Sequence, residues 1–476
     1  MTTLGALLAD AGLDASLDAD AAGLGVSTVE LDSRRCTPGS VFVCLPGTAT
    51  NGEVYVDDAV RRGAVCVVAA SPVRSTAVVV RVAPTALRAA LAALSSAVVG
   101  HPAESLTMAG VTGTNGKTTV TWLLNGILAT VGYAAATIGT LTGQRTTPSA
   151  PDLHRALRDV ADRASREGRP GAVALEVSSH ALDQGRVDGI RFDVAAFTNL
   201  SREHLDYHGA MTDYFEAKAV LFEPSRSAAA VVCVDDEWGR ALASRHLVPT
   251  LEVATDDAVV EDAEIGRTTF TWRTHRTATR LTGRVNVTNA LVALAAADVL
   301  GIDVAAASAA LGEVPPVPGR LELVDGGPPS VLVDYAHSPD ALERVLRDVR
   351  ALRPTGRLIV VFGCGGERDQ GKRPIMGSIA SRLADVVVVT SDNPRGESPE
   401  AIIAAIVAGC DGDADVSIEL DRATAVASAV AGAADDDVVL LAGKGHETTQ
   451  EVAGVHVPFD DRVVAATALA SRSRRC

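Results

Sequence analysis

The sequence predicts an α/β protein built on parallel sheets, and three observations predict it. Short apolar, β-branched runs alternate with longer helical stretches, as expected of strands covered on both faces by crossover helices. Polar, glycine-rich clusters follow those runs directly, at the strand ends where open parallel sheets bind ligands. A proline-rich stretch, Val314-Pro315-Pro316-Val317-Pro318-Gly319, interrupts the pattern and reads as a hinge.

A chain of 476 residues is long enough for two to four domains, at roughly 100–200 residues each. The pattern divides it into three segments, 1–98, 99–316 and 317–476. In the first, strands are expected at 41–45, 64–70 and 77–81. The second opens with a strand at 105–111 and a helix at 118–131, followed by strands at 172–177, 192–197 and 229–234. The third carries strands at 330–333, 357–362, 385–390 and 437–441. Each is a short apolar run bounded by polar or glycine-rich residues, the mark of a buried strand. Aromatic residues are only 3%, so the cores must be built from Ala, Val and Leu.

Composition narrows the function. The formal net charge is −16, and binding to a nucleic-acid backbone calls for a positive surface, so no nucleic-acid partner is expected. An acidic chain that handles phosphates needs local devices instead: glycine-rich loops, helix N-termini, a few placed cations and metal ions. The first residues, Met1-Thr2-Thr3-Leu4-Gly5, lack the basic start of a signal peptide. No apolar run reaches the roughly 18 residues of a membrane span, so no membrane partner is expected and the location reads as cytoplasmic. The seven cysteines, Cys36, Cys44, Cys66, Cys233, Cys364, Cys410 and Cys476, are dispersed without a CxxC pair. They read as small buried hydrophobes in a reducing compartment, not as disulfides or zinc ligands.

The clusters carry the chemistry. The strongest is Gly110-Val111-Thr112-Gly113-Thr114-Asn115-Gly116-Lys117-Thr118-Thr119, between a strand and a helix. Glycines let backbone N–H groups close around phosphates, Lys117 reaches the outer phosphates, and Thr118 suits Mg²⁺. Val111 stands where a strict phosphate loop has its first glycine. Glu176, in Glu176-Val177-Ser178-Ser179-His180, puts a carboxylate at a strand end, and a hard cation prefers such oxygen ligands. Lys218 taken by itself reads as a solvated helix lysine. In the third segment, strand ends carry Gly365-Gly366-Glu367-Arg368-Asp369, Asp392-Asn393-Pro394-Arg395 and Gly443-Lys444-Gly445-His446-Glu447. Arg368 and Arg395 suit carboxylates, which guanidinium binds through two parallel hydrogen bonds, and Glu447 suits an ammonium. An amino acid with two carboxylates and two amines fits that inventory.

The loop Gly113-Thr114-Asn115-Gly116-Lys117-Thr118-Thr119 resembles the phosphate loop of the Mur ligases and the folylpolyglutamate synthases. Several further motifs, in the expected order, resemble the Mur branch over essentially the whole length, and within it the ligases that add the third residue of the peptidoglycan stem peptide. The resemblance implies three domains: 1–98 binding a UDP-linked precursor, a central ATP-binding domain of phosphate-loop type at 99–316, and a Rossmann-like, amino-acid-binding domain at 317–476. It implies ATP and Mg²⁺, an acyl-phosphate mechanism, and closure of the last domain about residues 314–319. It implies that Gly113, Thr114, Asn115, Gly116, Lys117, Thr118 and Thr119 bind ATP, with Asn289 at the adenine, Arg320 at the nucleotide and Asp334 at the ribose; His337 is a lesser candidate. Thr118, Glu176, His204 and Lys218 form the implied metal site, Lys218 as a carbamate. Lys117, Glu176, His204 and Lys218 form the implied catalytic set.

The implied UDP-precursor contacts are Leu31, Ser33, Thr146, Thr147, Ser178, Gln184 and Arg186. Arg145 stands where the family usually has Asn, and Asn51-Gly52-Glu53 replaces a DGH-like triplet. The glycine-bounded loop Gly47-Thr48-Ala49-Thr50-Asn51-Gly52 also resembles a UDP-binding loop. The Asp-Asn-Pro-Arg form at 392–395 resembles that of the family's diaminopimelate ligases, which implies meso-diaminopimelate with Arg368, Asp392, Asn393, Pro394, Arg395, Gly443 and Glu447 as its site. The expected partners are therefore a UDP-muramoyl dipeptide, meso-diaminopimelate and ATP, and the expected state is a monomer. Two alternatives remain at this point: a Mur-like ligase of a specialised-metabolite pathway, and a non-catalytic ATP-binding interaction protein.

Overall fold

The structure, a computed structural model, describes residues 2–47, 50–143, 145–353 and 355–473. Thr48, Ala49 and Cys476 lie outside the described residues. The chain forms two compact units, Met1–Val253 with Val292–Asp303, and Ala254–Leu291 with Val304–Cys476. The proline-rich stretch belongs to the second, and its Val317 is fully buried.

The first unit holds two parallel sheets. The N-terminal one has four strands, Thr28–Glu30, Ser40–Val43, Ala64–Ala69 and Val78–Arg81, all parallel. Alternation sends Val41, Val43, Cys66 and Val68 toward Leu87, Leu91 and Leu94 of the helix Leu87–Val98. Phe42, Cys44, Val67 and Ala69 pack on the other face with Cys36, Val56 and Ala59. Both faces are dry, which is why the strands read as continuous apolar runs.

The central sheet has six parallel strands in the order Thr250–Val253, Ala230–Cys233, Val194–Phe197, Leu106–Thr112, Gly171–Glu176, Ala134–Ile138. Its first strand in the chain, Leu106–Thr112, lies in the interior. The chain crosses to one edge, returns beside that strand, then passes to its other side. The end of Leu106–Thr112 is therefore a topological switch point, where neighbouring connections diverge and leave a crevice. Val111 pairs with Glu176 and Thr112 with Phe197, so the next loop is flanked by Glu176 and Thr198.

Against this sheet packs the amphipathic helix Ala150–Glu167, whose buried stripe includes Leu153, Leu157 and Val160. His154 on the same helix is fully buried, and neither ring nitrogen has a hydrogen-bond partner among the described residues. Burial pushes its pKa down from 6.5 to about 4, with repulsion from His101 adding to the effect. Below pH 6.5 the unfolded chain takes up a proton that the folded one refuses, so stability falls as pH drops toward 4. Between pH 7 and 5 the expected loss from this residue is about 2 kcal/mol. Urea unfolding of wild type and His154→Leu at both pH values measures it. Equal pH dependence in the two proteins would remove His154 as the cause.

In the second unit the six-stranded sheet runs Glu322–Leu323, Ser330–Asp334, Val438–Ala442, Leu358–Phe362, Val386–Val389, Asp415–Ile418. Only the first pairing is antiparallel. The late strand Val438–Ala442 inserts between two earlier ones, so the loops after Asp334, Ala442, Phe362 and Val389 leave the same sheet edge side by side. A fully buried ion pair, Arg422 to Asp461 at 2.7 Å, joins helices Arg422–Gly432 and Asp461–Ser473, and Arg422 also donates to the Ala442 carbonyl.

The interior strands and the edge strand Val78–Arg81 lie where the sequence predicts them, within one or two residues; the pattern does not predict the other edge strands. Ala134–Ile138 is Ala-Ala-Ala-Thr-Ile, a poor strand signal, and Asp415–Ile418 is an exposed edge with no apolar run. The second unit also contains a three-stranded antiparallel sheet, Ala258–Glu264, Arg267–Trp272 and His275–Thr279, and a hairpin, Thr449–Val452 with Val455–Pro458. Many of their residues are solvated, with valines such as Val259 and Val455 interleaved among polar side chains, so they lack the long buried apolar runs of the parallel strands. Among the described residues no helix is long and apolar enough to cross a membrane.

Candidate active site

The phosphate-loop candidate follows Leu106–Thr112 and opens the helix Lys117–Thr130. Gly113 and Gly116 have φ of +144° and +87°. A Cβ on Gly113 would fall 1.9 Å from Thr198 Oγ1, so only glycine lets the two chains meet there. The loop is stitched to the next strand end. The Thr114 and Asn115 amides donate to the carbonyl and side chain of Asn199 at 2.8 and 3.0 Å, and Thr198 Oγ1 donates to the Asn115 carbonyl at 2.6 Å. Thr118 and Thr119 are buried in the first helical turn, which no side chain caps.

Two lysines meet at this loop. Lys117 Nζ donates to the carbonyls of Gly113 and Thr114 at 2.9 and 2.8 Å. Lys218, on the helix Met211–Ala219, donates to the same Gly113 oxygen at 3.0 Å and lies over the Tyr214 ring. Its side chain is almost wholly buried, not solvated as a lone helix lysine would be. Burial first, and the Lys117 charge second, hold its pKa well below the ordinary lysine value.

Glu176 is buried and central. Its carboxylate accepts from Thr118 Oγ1 at 3.0 Å, from the Thr140 amide at 2.8 Å and from Thr140 Oγ1 at 3.1 Å. Thr140 Oγ1 also donates to Thr146 Oγ1. Thr147 Oγ1 donates to the Glu176 carbonyl at 2.8 Å and accepts from the Ser178 amide at 3.0 Å. Arg186 donates to the Thr147 carbonyl at 2.9 Å and grips Gln184 Oε1 through two nitrogens. Burial, with repulsion from Arg145, holds the Arg186 pKa below its usual value. Thr146, Thr147, Ser178, Gln184 and Arg186 thus form one cluster continuous with Glu176. Leu31 and Ser33 belong to another place: Leu31 is exposed, and the buried Ser33 hydroxyl donates to Asp58 at 2.9 Å.

His204 has a left-handed backbone, φ +55°, and its ring lies 4.9 Å from that of His180. Among the described residues no three His, Cys, Asp or Glu side chains gather closely enough to hold a metal by themselves.

In the second unit, Arg320, Asp334 and His337 gather around Tyr335, while Asn289 lies on a helix. Asn289 Nδ2 donates to Asn286 Oδ1 within the helix Arg284–Val299. The Asp334 carboxylate accepts from the Leu321 and Ala336 amides at 2.7 and 2.8 Å, and burial raises its pKa. Arg320 lies over the Tyr335 ring at 4.6 Å. His337 Nδ1 is 2.8 Å from the Tyr335 carbonyl.

The amino-acid candidates converge. A Cβ on Gly365 would meet Arg395 Nη1 and Arg368 Cγ, so the two arginines flank one glycine. Arg395 Nη1 donates to the Gly366 carbonyl at 2.7 Å, and Arg368 is exposed. Pro394 holds the turn, and its carbonyl accepts from the Glu397 amide. Asn393 Nδ2 donates to Glu447 Oε2 at 2.8 Å. Gly443, φ +109°, lies against Asp392, where a Cβ would come within 2.5 Å of Oδ2. Lys444, absent from the sequence-based site, is fully buried at its centre. It donates to Asn393 Oδ1, Glu447 Oε2 and the Thr449 carbonyl at 3.1, 3.0 and 2.8 Å. Its flanking glycines were the available signal: they let backbone crowd around the ammonium.

A glycine loop at the switch point of a parallel sheet, with a buried carboxylate bonded to the loop's threonine, defines a phosphate-loop α/β protein that uses a nucleoside triphosphate. Within that class, the chain belongs to the Mur ligase family. Family models match at 25–99 (Mur ligase family, catalytic domain), 111–297 (Mur ligase middle domain) and 319–445 (Mur ligase, glutamate ligase domain). The UDP-N-acetylmuramoyl-L-alanyl-D-glutamate–2,6-diaminopimelate ligase of Synechococcus elongatus is 42% identical, over 94% of this chain and 95% of its own length. A solved structure of a ligase of that name superposes with a TM-score of 0.66 at 30% identity, covering 96% of this chain and 98% of the other. The MurF ligase of Thermotoga maritima, solved with ADP, shares the fold at 20% identity, with a TM-score of 0.64 over 95% and 99% of the two chains. The family is one of ATP-dependent ligases with a three-domain architecture.

Proposed function

We propose that the chain is an ATP-dependent amide ligase of peptidoglycan synthesis. It joins meso-2,6-diaminopimelate to the D-glutamate γ-carboxylate of UDP-N-acetylmuramoyl-L-alanyl-D-glutamate and releases ADP and phosphate. The observation that carries this reading is the buried Glu176 carboxylate. It bonds Thr118 of the phosphate loop and Thr140 of the loop leading to Thr146 and Thr147, bringing phosphate and precursor candidates to one point. The 42% identity to a ligase of this name, over 94% of the chain, supports the substrate.

In this reading 1–98 binds the UDP end through Leu31 and Ser33, 99–316 binds ATP, and 317–476 binds the amino acid. The last segment closes about residues 314–319 before chemistry. The enzyme works as a cytoplasmic monomer. The γ-phosphoryl group of ATP passes to the γ-carboxylate, giving an acyl phosphate. The amine of diaminopimelate attacks the acyl carbon; the C–N bond forms, the C–O bond to phosphate breaks, and the amine proton leaves to solvent. Lys117 and the loop amides offset charge on the transferring group. Asn289, Arg320 and Asp334 hold the nucleoside.

Mg²⁺ fits the donors present. The Thr118 hydroxyl and the Glu176 carboxylate are oxygen ligands 3.0 Å apart, as a hard cation prefers, and His204 adds a nitrogen in this assignment. When bound, the ion supplies charge neutralisation on the phosphates. An ammonium at Lys218 would oppose it. The buried Lys218, whose pKa burial lowers, suits the opposite: in its unprotonated form the amine adds to CO₂, a proton leaves to solvent, and a carbamate oxygen donor stands in place of the amine. Lys218→Ala is expected to lose about 10²–10³-fold in kcat and to regain activity when a small carboxylate is supplied. Full activity without rescue would make Lys218 an ordinary buried lysine.

A coupled phosphate-release assay tests the function as a whole. Phosphate should appear only when ATP, the UDP-muramoyl dipeptide and diaminopimelate are all present. Release with another amino acid in its place, or none with this precursor, overturns the reading.

A further inference from the structure

We propose that Glu451, on the hairpin Thr449–Val452 with Val455–Pro458, is a positioning residue for Arg395 and through it a determinant of amino-acid selectivity. The inference rests on Arg395 as the group that binds the distal carboxylate of diaminopimelate.

Arg395 is held in an unfavourable backbone conformation, φ +52°, uncommon for a residue with a side chain. Glu451 and its neighbours hold it there. The Arg395 amide donates to the Glu451 carbonyl at 3.1 Å, and the Ala453 amide donates to the Arg395 carbonyl at 2.7 Å, so turn and hairpin pair like adjacent strands. The Glu451 carboxylate then pairs with Arg395 Nε at 3.2 Å, while Arg395 Nη1 donates to the Gly366 carbonyl at 2.7 Å. Guanidinium is planar and carries five N–H donors. With Nε facing Glu451 and one Nη1 hydrogen on the Gly366 carbonyl, the Nη1–Nη2 edge is the one left to meet a ligand carboxylate.

Glu451 is itself anchored from within. Its amide donates to Asn393 Oδ1 at 3.0 Å, and that same oxygen accepts from the buried Lys444 ammonium, which also binds the Thr449 carbonyl. The start of the hairpin is thus tied to the Asp392–Arg395 turn by a fully buried cation. Glu451 is partly exposed, at 28% of its side chain, so its replacement leaves the core intact.

The experiment compares kcat and KM for diaminopimelate, lysine and ATP in wild type, Glu451→Ala, Glu451→Gln, Arg395→Ala and the Glu451→Ala/Arg395→Ala double variant. Glu451→Ala should raise KM for diaminopimelate about tenfold, a single ion-pair contribution. Its kcat, its KM for ATP and its kcat/KM for lysine should stay within about twofold, since lysine has no distal carboxylate to present. Glu451→Gln, which keeps the size of the side chain and loses its charge, should show most of the same loss. In the Arg395→Ala background the Glu451 substitution should have no further effect on selectivity. An unchanged selectivity in Glu451→Ala, a parallel loss in kcat or ATP binding, or an effect that persists without Arg395 each overturns the proposal. If Arg395→Ala itself leaves the preference for diaminopimelate over lysine unchanged, it is the assignment of Arg395 that fails.

Discussion

Replacing Lys117 by alanine is expected to lower kcat by at least about 10³-fold, as loss of a phosphate-clamping cation does, while binding of the UDP-linked precursor survives. The reason is placement. Lys117 Nζ reaches back over its own loop to the Gly113 and Thr114 carbonyls, the position from which an ammonium meets incoming phosphates. Phosphoryl transfer gathers negative charge on the migrating group, and a preorganised cation offsets it without reorganisation cost. The precursor candidates have their own anchorage: Thr147 Oγ1 donates to the Glu176 carbonyl and accepts from the Ser178 amide, and Arg186 donates to the Thr147 carbonyl. Removing Lys117 also relieves the repulsion on Lys218, whose pKa should then rise toward the usual lysine value. Calorimetry with the UDP-muramoyl dipeptide measures the first claim. Loss of precursor binding in Lys117→Ala would break the separation of ATP and precursor contacts.

The second large effect concerns selectivity. Wild type is expected to use meso-diaminopimelate and to use lysine negligibly, because lysine lacks the distal carboxylate. Bound lysine would leave Arg395 paired with Glu451 and the Gly366 carbonyl but with no ligand carboxylate facing it. Loss of a charge-assisted contact to a partly exposed guanidinium costs about 1.5–3 kcal/mol, roughly 10–10²-fold. A site built around a polar group rejects the analogue lacking it by up to about 10⁴-fold. Arg395→Ala should therefore lose most activity with diaminopimelate and narrow its preference over lysine. The ratio of kcat/KM for the two amino acids, in both proteins, is the decisive quantity. A wild type that prefers lysine would remove diaminopimelate as the substrate, and a variant with the wild-type ratio would remove Arg395 as the selector.

The sequence by itself determined the α/β class, the interior strands and the residues of the chemical clusters. It could do so because parallel strands buried on both faces leave uninterrupted apolar runs, as in Val438–Ala442 and Leu358–Phe362. It could also do so because the glycine and lysine of a phosphate loop are consecutive along the chain, as Gly113 to Thr119 are. The strands with a solvated face, at 258–279 and 449–458, left no such runs. What only the tertiary structure decided is how residues far apart in sequence meet. Lys218 reads as a solvated lysine on its own helix, and becomes a buried, pKa-lowered amine only because that helix packs its ammonium onto Gly113, 105 residues away. Lys444 is marked in the sequence only by its flanking glycines, yet it is the buried cation that holds Asn393 and Glu447 together. Glu451 faces Arg395 only because a hairpin pairs with a turn. Hydrophobic periodicity is a local property of the chain and can be read along it. Burial of a charge, and the shift in protonation that follows, depends on neighbours brought in by the fold, and those neighbours are not adjacent in the sequence.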